Sequence, residues 1–225
     1  GAGSFYDPYT LARNTEFTEV DEEDYYYTDR IGTEAARQIG EFAKSDKPFF
    51  QYVAFTAAHW PIHAPEKSIQ KYIKTYEGGW EKLRKERYAR MLEMGIIDKE
   101  RWPLPPREDR VKPWDTIDHK PWRVRNMAIY AAMVDHMDQA VGTIVDALEK
   151  TNQLENTFII YFHDNGACPE HLGGNGWNTA NNILAKAKKA GKTIAVGDKY
   201  DVPMGGPMTY GSVGHNWANA QNTPM

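Results

Sequence analysis

The sequence predicts an α/β fold in which a mixed, largely parallel sheet is flanked by helices. Two apolar runs rich in β-branched and aromatic residues, at 49–56 and 157–162, are bounded by turn residues and indicate buried strands. Between them, residues 122–150 carry the three- and four-residue apolar spacing of a long helix. Strand, helix and strand in this order predict a parallel crossover unit with a long excursion inserted into it.

Composition and charge narrow the class of protein. The chain has 225 residues, of which 41% are hydrophobic and 26% charged, as in an ordinary globular protein. Its net charge of −4 argues against a nucleic-acid partner. No apolar run approaches the roughly 20 residues that a membrane span needs. The only cysteine, Cys168, leaves no internal disulfide and is expected to be a small buried or loop residue.

The first helix is expected after an irregular stretch at 1–23. Its apolar residues recur every three or four positions, at Ile31, Ala35, Ile39 and Phe42. Thr28 or Asp29 is the predicted N-cap, because both side chains can accept a hydrogen bond from the first turn. Pro48 places the end of this helix near residues 45–46.

The predicted strand at 49–56 leads into a loop that carries two histidines. The strand is nearly continuous in apolar residues, which is typical of a sheet covered on both faces. His59 and His63 follow it and alternate with Pro61 and Pro65. Proline fixes the backbone angle φ, so this loop is expected to be stiff enough to hold a side chain in place.

The excursion after this loop is expected to be helical and then irregular. Charge-rich helices are predicted at 66–76 and 80–94, with solvated polar faces. Residues 98–120 contain four prolines and two tryptophans, so a long loop with a functional or wrapping role is predicted. A further small helix is predicted at about 178–190, inside a glycine- and asparagine-rich region.

Asp164 and Asn165 follow directly after the second predicted strand. Their side chains offer the hard oxygen ligands that Ca²⁺ or Mg²⁺ prefers, but Asp-Asn-Gly is also a good turn sequence. Both interpretations stay open on these residues alone. In a parallel sheet, the strand ends that carry Asp164 and His59 lie at the same edge, where open α/β sheets bind ligands. His163 is expected to point to the opposite side of its strand.

Several segments, in this order, resemble the type I sulfatases, and the similarity extends from about Tyr25 to the end of the chain. The helical segment between the two strands contributes to it. The segments are Lys47-Pro48-Phe49-Phe50, Ala57-Ala58-His59-Trp60-Pro61, Met133-Val134-Asp135-His136-Met137-Asp138, Asp164-Asn165-Gly166 and Trp217-Ala218-Asn219 with Asn222-Thr223-Pro224.

This resemblance implies an alkaline-phosphatase-like fold and the hydrolysis of an aryl or carbohydrate sulfate ester. It implies a formylglycine hydrate as nucleophile and a divalent cation, usually Ca²⁺ with Mg²⁺ as the alternative. Asp164 and Asn165 would be cation ligands, and His59 would contact the sulfate or protonate the leaving-group oxygen. His63 is expected to be structural or to contribute to substrate binding. A periplasmic or secreted parent protein is implied as well.

Two features of the sulfatase family pattern, the nucleophile stretch and an early pair of cation ligands, are missing from the sequence. It contains no Cys/Ser-x-Pro-x-Arg stretch, from which formylglycine is made, and no early Asp-Asp pair to supply further cation ligands. Residues 1–225 are therefore expected to be a partial catalytic domain without its nucleophile segment and C-terminal subdomain. We expect this chain by itself to be inactive and to bind Ca²⁺ weakly, because Ca²⁺ prefers 6–8 oxygen ligands.

Two alternatives stay open at this point. One is a phosphatase, phosphodiesterase or phosphonate hydrolase of the same superfamily, which the nucleophile segment would distinguish from a sulfatase. The other is a non-catalytic binding module, suggested by the aromatic- and proline-rich residues 98–122 and by the missing catalytic parts.

Overall fold

The computed structural model describes residues 3–8, 10–20, 22–172, 184–185 and 187–225. Five helices lie wholly within these residues, together with two pairs of very short strands. The helices are α1 (Tyr27–Phe42), α2 (Glu66–Tyr76), α3 (Gly79–Glu93), α4 (Lys120–Lys150) and α5 (Gly214–Gln221). The strands are β1 (Ala12–Arg13), β2 (Glu16–Phe17), β3 (Ala195–Val196) and β4 (Thr209–Tyr210).

Helix α4 is the centre of the packing, and the helical spacing of its apolar residues is confirmed. Ala128, Ile129, Ala132 and Met133 are fully buried in its middle, where α1 and α2 both pack against it. Gly32 of α1 permits a close approach, because a Cβ there would lie 2.7 Å from the Cβ of Ala140. The core therefore lies between these three helices.

A second core cluster joins α3, α5 and the proline-rich loop through three tryptophans. The Trp80 ring centroid lies 4.7 Å from that of Trp114 and 5.4 Å from that of Trp217, both edge to face. Such aromatic pairs add stability beyond the apolar area that they bury. The predicted loop at 98–120 is confirmed for residues 98–119 apart from a 3₁₀ turn at Trp114–Thr116, and Lys120 begins α4. Because Trp114 is buried, this loop wraps over the core.

The parallel part of the fold is small. Strand β3 pairs with β4 in parallel, with Ala195 opposite Thr209 and Val196 opposite Tyr210. Strands β1 and β2 form an antiparallel pair near the amino end. With its helices and this parallel pair, the chain has the mixed composition of an α/β protein.

The two predicted central strands are wrong as paired, buried strands. Residues 49–56 and 157–162 join no ladder among the described residues. Between 49 and 55 the side chains alternate between half-buried and exposed, so only one face is covered, in part through the stacking of Phe49 on Phe42. From Phe158 to Phe162 the side chains are exposed. An apolar run becomes a buried strand only where neighbouring strands accept its backbone hydrogen bonds.

Two further predictions concern the N-cap of α1, which is wrong, and the helix at 178–190, which lies partly outside the described residues. Tyr26, rather than Thr28 or Asp29, is the N-cap of α1, and no side chain caps this end. Asp29 lies in the first helical turn, and its carboxylate forms a hydrogen bond with His136 of α4 in place of a capping bond. Of the helix predicted at 178–190, residues 184–185 and 187–189 are helical, while 178–183 and 186 lie outside the described residues.

Candidate active site

A cavity of about 1280 Å³ brings together the two polar clusters that follow residues 49–56 and 157–162. Its wall includes His59 from the first cluster and Asp164 and Asn165 from the second. One side is formed by α4, which contributes Met127, Tyr130 and Asp138. The two clusters therefore line one cavity although, among the described residues, no continuous sheet carries them.

His59 is exposed, and its ring is oriented by the adjacent backbone. Its Nδ1 lies 2.8 Å from the carbonyl oxygen of Trp60, so Nδ1 carries the proton and donates to that oxygen. The imidazole also contacts the Trp60 ring, with the two centroids 4.6 Å apart. This arrangement leaves Nε2 as the atom that is available to accept or to donate a proton.

Asp164 and Asn165 are exposed at the cavity, and the residues after them are held by the end of α5. The Asn165 amide donates from Nδ2 to the carbonyl of Gly166 at 2.9 Å, which leaves its Oδ1 as a candidate ligand. Asn222 accepts a hydrogen bond from the backbone N–H of Ala167 at 2.8 Å. Gly166 lies so close to the Asn222 Oδ1 that a Cβ at this position would overlap it.

Glu170 connects the two loops across the cavity wall. Its Oε2 accepts hydrogen bonds from the Trp60 indole Nε1 at 2.6 Å and from the Cys168 thiol at 3.2 Å. Its backbone carbonyl accepts from the Ser212 hydroxyl at 2.6 Å. Burial raises the pKa of the Cys168 thiol, so this half-buried loop cysteine is a weak nucleophile.

The sequence signals for these supporting residues were incomplete. Asn222 lies in a segment that contributed to the family resemblance, but nothing in that segment indicated its hydrogen bonds. Glu170 carried no signal, because its partner Trp60 lies 110 residues away in the chain.

His63 does not line the cavity, so the geometry gives no support to the substrate-binding role that was expected for it. It is buried, its Nδ1 accepts from the Phe5 backbone N–H at 3.3 Å, and its Nε2 donates to the Thr209 carbonyl at 2.7 Å. Burial lowers the pKa of His63 to about 4, although the bond to Thr209 opposes this shift. The residue fastens the histidine loop to β4 as a neutral imidazole.

His163 is among the residues of the cavity wall, as is Asp164, whereas the sequence predicted that the two side chains point to opposite sides of a strand. Its Nε2 lies 2.9 Å from the hydroxyl of Tyr161.

The oxygen donors at the cavity fit a hard divalent cation in type but not in number. Among the described residues, no group of three or more His, Cys, Asp or Glu side chains is placed to hold a metal ion. Asp135 also lines the cavity, but its carboxylate accepts hydrogen bonds from Lys71 and Tyr72. Asp164 and Asn165, the two ligands expected from the sequence, are only a partial set compared with the 6–8 oxygens that Ca²⁺ takes.

A family model described as Sulfatase matches residues 1–204 of the chain. The chain belongs to the sulfatase family. This membership assigns it to the alkaline-phosphatase-like α/β class, as the sequence predicted, and accounts for the order of the histidine loop, α4 and the Asp164-Asn165 loop.

Similar sulfatases include an arylsulfatase from Klebsiella aerogenes, 30% identical over 199 residues, or 84% of this chain. An uncharacterized sulfatase from Schizosaccharomyces pombe is 36% identical over 145 residues, or 64% of this chain. The chain spans only 39% of the first relative and 26% of the second.

Among solved structures, Ps i-CgsB is 23% identical over 65% of this chain and 21% of its own. Its TM-score of 0.37 is too low to establish a common fold. In the part of the sulfatase chain that the structure describes, no helix has the length and apolar character needed to cross a membrane.

Proposed function

We propose that this chain forms one wall of a sulfatase active site that hydrolyses an aryl or carbohydrate sulfate ester. The observation that carries the proposal is the shared cavity of His59, Asp164 and Asn165. Membership of the sulfatase family supports the reaction class and disfavours phosphoryl transfer. The family also supports a periplasmic or secreted setting.

Asp164 and Asn165 act as ligands of a divalent cation, Ca²⁺ or alternatively Mg²⁺. Their exposed side-chain oxygens provide hard donors at the cavity. When bound, the cation offsets the negative charge that develops on the sulfate oxygens and the nucleophile. Asn222 and Gly166 position this pair by fixing the backbone that follows it.

His59 binds a sulfate oxygen or gives a proton to the leaving-group oxygen through Nε2. The bond from Nδ1 to the Trp60 carbonyl fixes the ring and leaves Nε2 for this task. A positioned general acid contributes about 10²–10⁴-fold to the rate. Glu170 supports His59 indirectly, because its carboxylate holds the indole of the next residue, Trp60.

The nucleophile, a formylglycine hydrate, comes from a Cys/Ser-x-Pro-x-Arg stretch that residues 1–225 do not contain. Cys168 does not replace it, since Pro169 and Glu170 follow it and burial raises its pKa. The 225-residue chain by itself therefore lacks turnover and binds Ca²⁺ weakly.

Calorimetric Ca²⁺ titration of the purified chain tests the cation site. Weak binding is expected in the wild type, and the Asp164→Ala and Asn165→Ala variants should reduce it further. Asp146→Asn, an exposed change on α4, is the matched control and should leave binding unchanged. Equal binding by all four proteins would refute Asp164 and Asn165 as ligands.

The activity requires a longer polypeptide that also carries the nucleophile stretch. In that protein His59→Ala should lower kcat toward an aryl sulfate by about 10²-fold or more. Aryl phosphate hydrolysis at a higher rate than aryl sulfate hydrolysis would overturn the proposed reaction class. Turnover of aryl sulfate by the 225-residue chain alone would overturn its proposed inactivity.

A further inference from the structure

Three side chains from three different helices form a hydrogen-bonded row on the surface that lies outside the cavity wall. The Ser68 hydroxyl of α2 lies 2.9 Å from Nε2 of His136 on α4. The Nδ1 of His136 lies 2.7 Å from Oδ1 of Asp29 on α1. None of these three residues lines the cavity of the candidate active site.

The bond between His136 and Asp29 has one possible direction, and the bond to Ser68 has a single direction when the imidazole is neutral. An ionised carboxylate only accepts hydrogen bonds, so Nδ1 of His136 carries the proton and donates to Asp29. The neutral imidazole then presents a lone pair at Nε2, and the hydroxyl of Ser68 donates to it. This is the order of nucleophile, base and orienting carboxylate in a serine hydrolase triad.

The surroundings hold this row in place and leave it open to small molecules. The His136 side chain is 12% exposed and contacts the Tyr26 ring edge to face, whereas Asp29 is 49% exposed. Ser68 is half-buried and is the third residue of α2. The backbone N–H of Ser68 donates to the Pro65 carbonyl at 2.9 Å, which fixes the start of the helix around it.

We propose that Ser68 is an activated nucleophile that reacts with small acyl or phosphonyl esters, independently of the sulfatase site. Its Oγ attacks the acyl carbon of an aryl ester while its proton passes to Nε2 of His136. The bond to the aryl oxygen breaks, and the aryl oxide takes this proton. Water then hydrolyses the acyl-serine, with His136 again accepting and returning the proton.

The site accepts only small, reactive esters at low turnover. The Asp29 side chain is 49% exposed, and water at this carboxylate weakens its effect on His136. A fluorophosphonate is therefore the sharper probe, because one attack leaves a stable adduct with loss of fluoride. Mass spectrometry locates the adduct, since trypsin releases Ser68 in the tetrapeptide Ser68-Ile69-Gln70-Lys71.

The experiment compares fluorophosphonate labelling of the wild type with Ser68→Ala, His136→Gln and Asp29→Asn. We expect the tetrapeptide to be labelled in the wild type and unlabelled in Ser68→Ala. In His136→Gln, labelling should be about 10²-fold slower, the lower end of the range for loss of a general base. Asp29→Asn should slow it less. Ser45→Ala, at an exposed serine, is the matched control and should label normally.

An unlabelled tetrapeptide in the wild type would overturn the proposal, as would equal labelling in the wild type and a folded His136→Gln variant. The urea midpoint of each variant shows whether a loss of labelling is due to unfolding. If His136→Gln is unfolded, the comparison of labelling rates between the wild type and Asp29→Asn decides. Labelling should be insensitive to EDTA and to His59→Ala. The outcome is therefore independent of the proposed sulfatase chemistry.

Discussion

The side-chain amide of Asn222 forms two hydrogen bonds with the backbone of Ala167. Its Oδ1 accepts from the Ala167 N–H at 2.8 Å, and its Nδ2 donates to the Ala167 carbonyl at 3.2 Å. Asn222 is also the C-cap residue of α5, where its backbone N–H donates to the carbonyl of Ala218. The end of one helix thereby fixes the chain immediately after Asp164 and Asn165.

Replacing Asn222 by alanine should lower the free energy of unfolding by about 1–3 kcal/mol, because the Ala167 N–H and carbonyl lose their partner. Urea denaturation monitored by circular dichroism measures this. Asn219→Ala is the matched control, since Asn219 also lies on α5 and has no side-chain hydrogen bond among the described residues. Equal effects of the two substitutions would contradict the role of Asn222.

Gly166→Ala should destabilise the protein by about 1–3 kcal/mol, the range for a forced steric overlap. The added Cβ meets the Oδ1 of Asn222, and Gly166 does not have the positive φ that would favour glycine for conformational reasons. The cost should therefore be smaller in an Asn222→Ala background. A double-mutant cycle in urea measures this coupling, and additive effects would show that Asn222 is not the obstacle.

Glu170→Ala should release the Trp60 indole and lower the free energy of unfolding by about 1.5–3 kcal/mol, since the lost hydrogen bond involves a charged acceptor. The indole N–H resonance, assigned through Trp60→Phe, should move toward the position of a solvent-exposed indole. Glu170→Gln keeps a hydrogen-bond acceptor at position 170, so its indole resonance should lie between those of the wild type and Glu170→Ala. An unchanged indole resonance in Glu170→Ala would argue against this contact in solution.

The helices could be predicted from the sequence because their signals are local. The apolar spacing at 66–76 predicted α2 with the bounds that the structure has, and 122–150 predicted all but the first two residues of α4. Residues 49–56 and 157–162 failed as buried strands because strand pairing depends on distant segments. The apolar composition of these two runs can be read from the sequence, whereas their burial depends on the segments that pair with them.

The residues of the candidate site also fall into those that the sequence predicts and those that depend on distant partners. His59, Asp164 and Asn165 were predicted as site residues because turn chemistry and family resemblance marked them, and the structure places them at one cavity. Asn222 and Glu170 escaped prediction, since their partners lie 55 and 110 residues away. His63 was expected to be structural or to contribute to substrate binding. A histidine in a stiff loop looks functional in sequence, and only its two backbone partners reveal the structural role.

The stability of the protein should fall as the pH decreases from 6.5 to about 4, in part because of His63. Its pKa is about 4 in the folded protein and 6.5 in the unfolded chain. Between these values the unfolded chain binds a proton that the folded protein does not, so acidification favours unfolding. The full contribution is present above pH 6.5, and its loss is on the order of 3 kcal/mol at most.

A His63→Gln variant isolates this contribution from other titrating groups. The glutamine amide can donate to Thr209, so the variant should fold, although with lower stability at pH 7. The difference in free energy of unfolding between wild type and variant should shrink as the pH falls through this window. Urea denaturation at several pH values measures it, and a constant difference would rule out a neutral, buried His63.

Two glycines of α1 should respond in opposite directions to alanine. At Gly32 an added Cβ would lie 2.7 Å from the Cβ and 2.9 Å from the Cα of Ala140 on α4. Because the obstacle includes backbone, the two helices must separate, and Gly32→Ala should cost about 1–3 kcal/mol. At Gly40 no atom lies within 4 Å of the added Cβ, and Gly40→Ala should stabilise the helix by about 0.5–1 kcal/mol.

The comparison is sharp because both positions gain the same helix propensity from alanine, so the difference between the two variants reports the α1–α4 approach alone. Thermal and urea unfolding of the two proteins measure it. A stabilised Gly32→Ala protein would mean that α1 does not pack against Ala140 at this distance in solution. The orientation of Asp29 toward His136 depends on the same helix packing, and so it would be open to doubt as well.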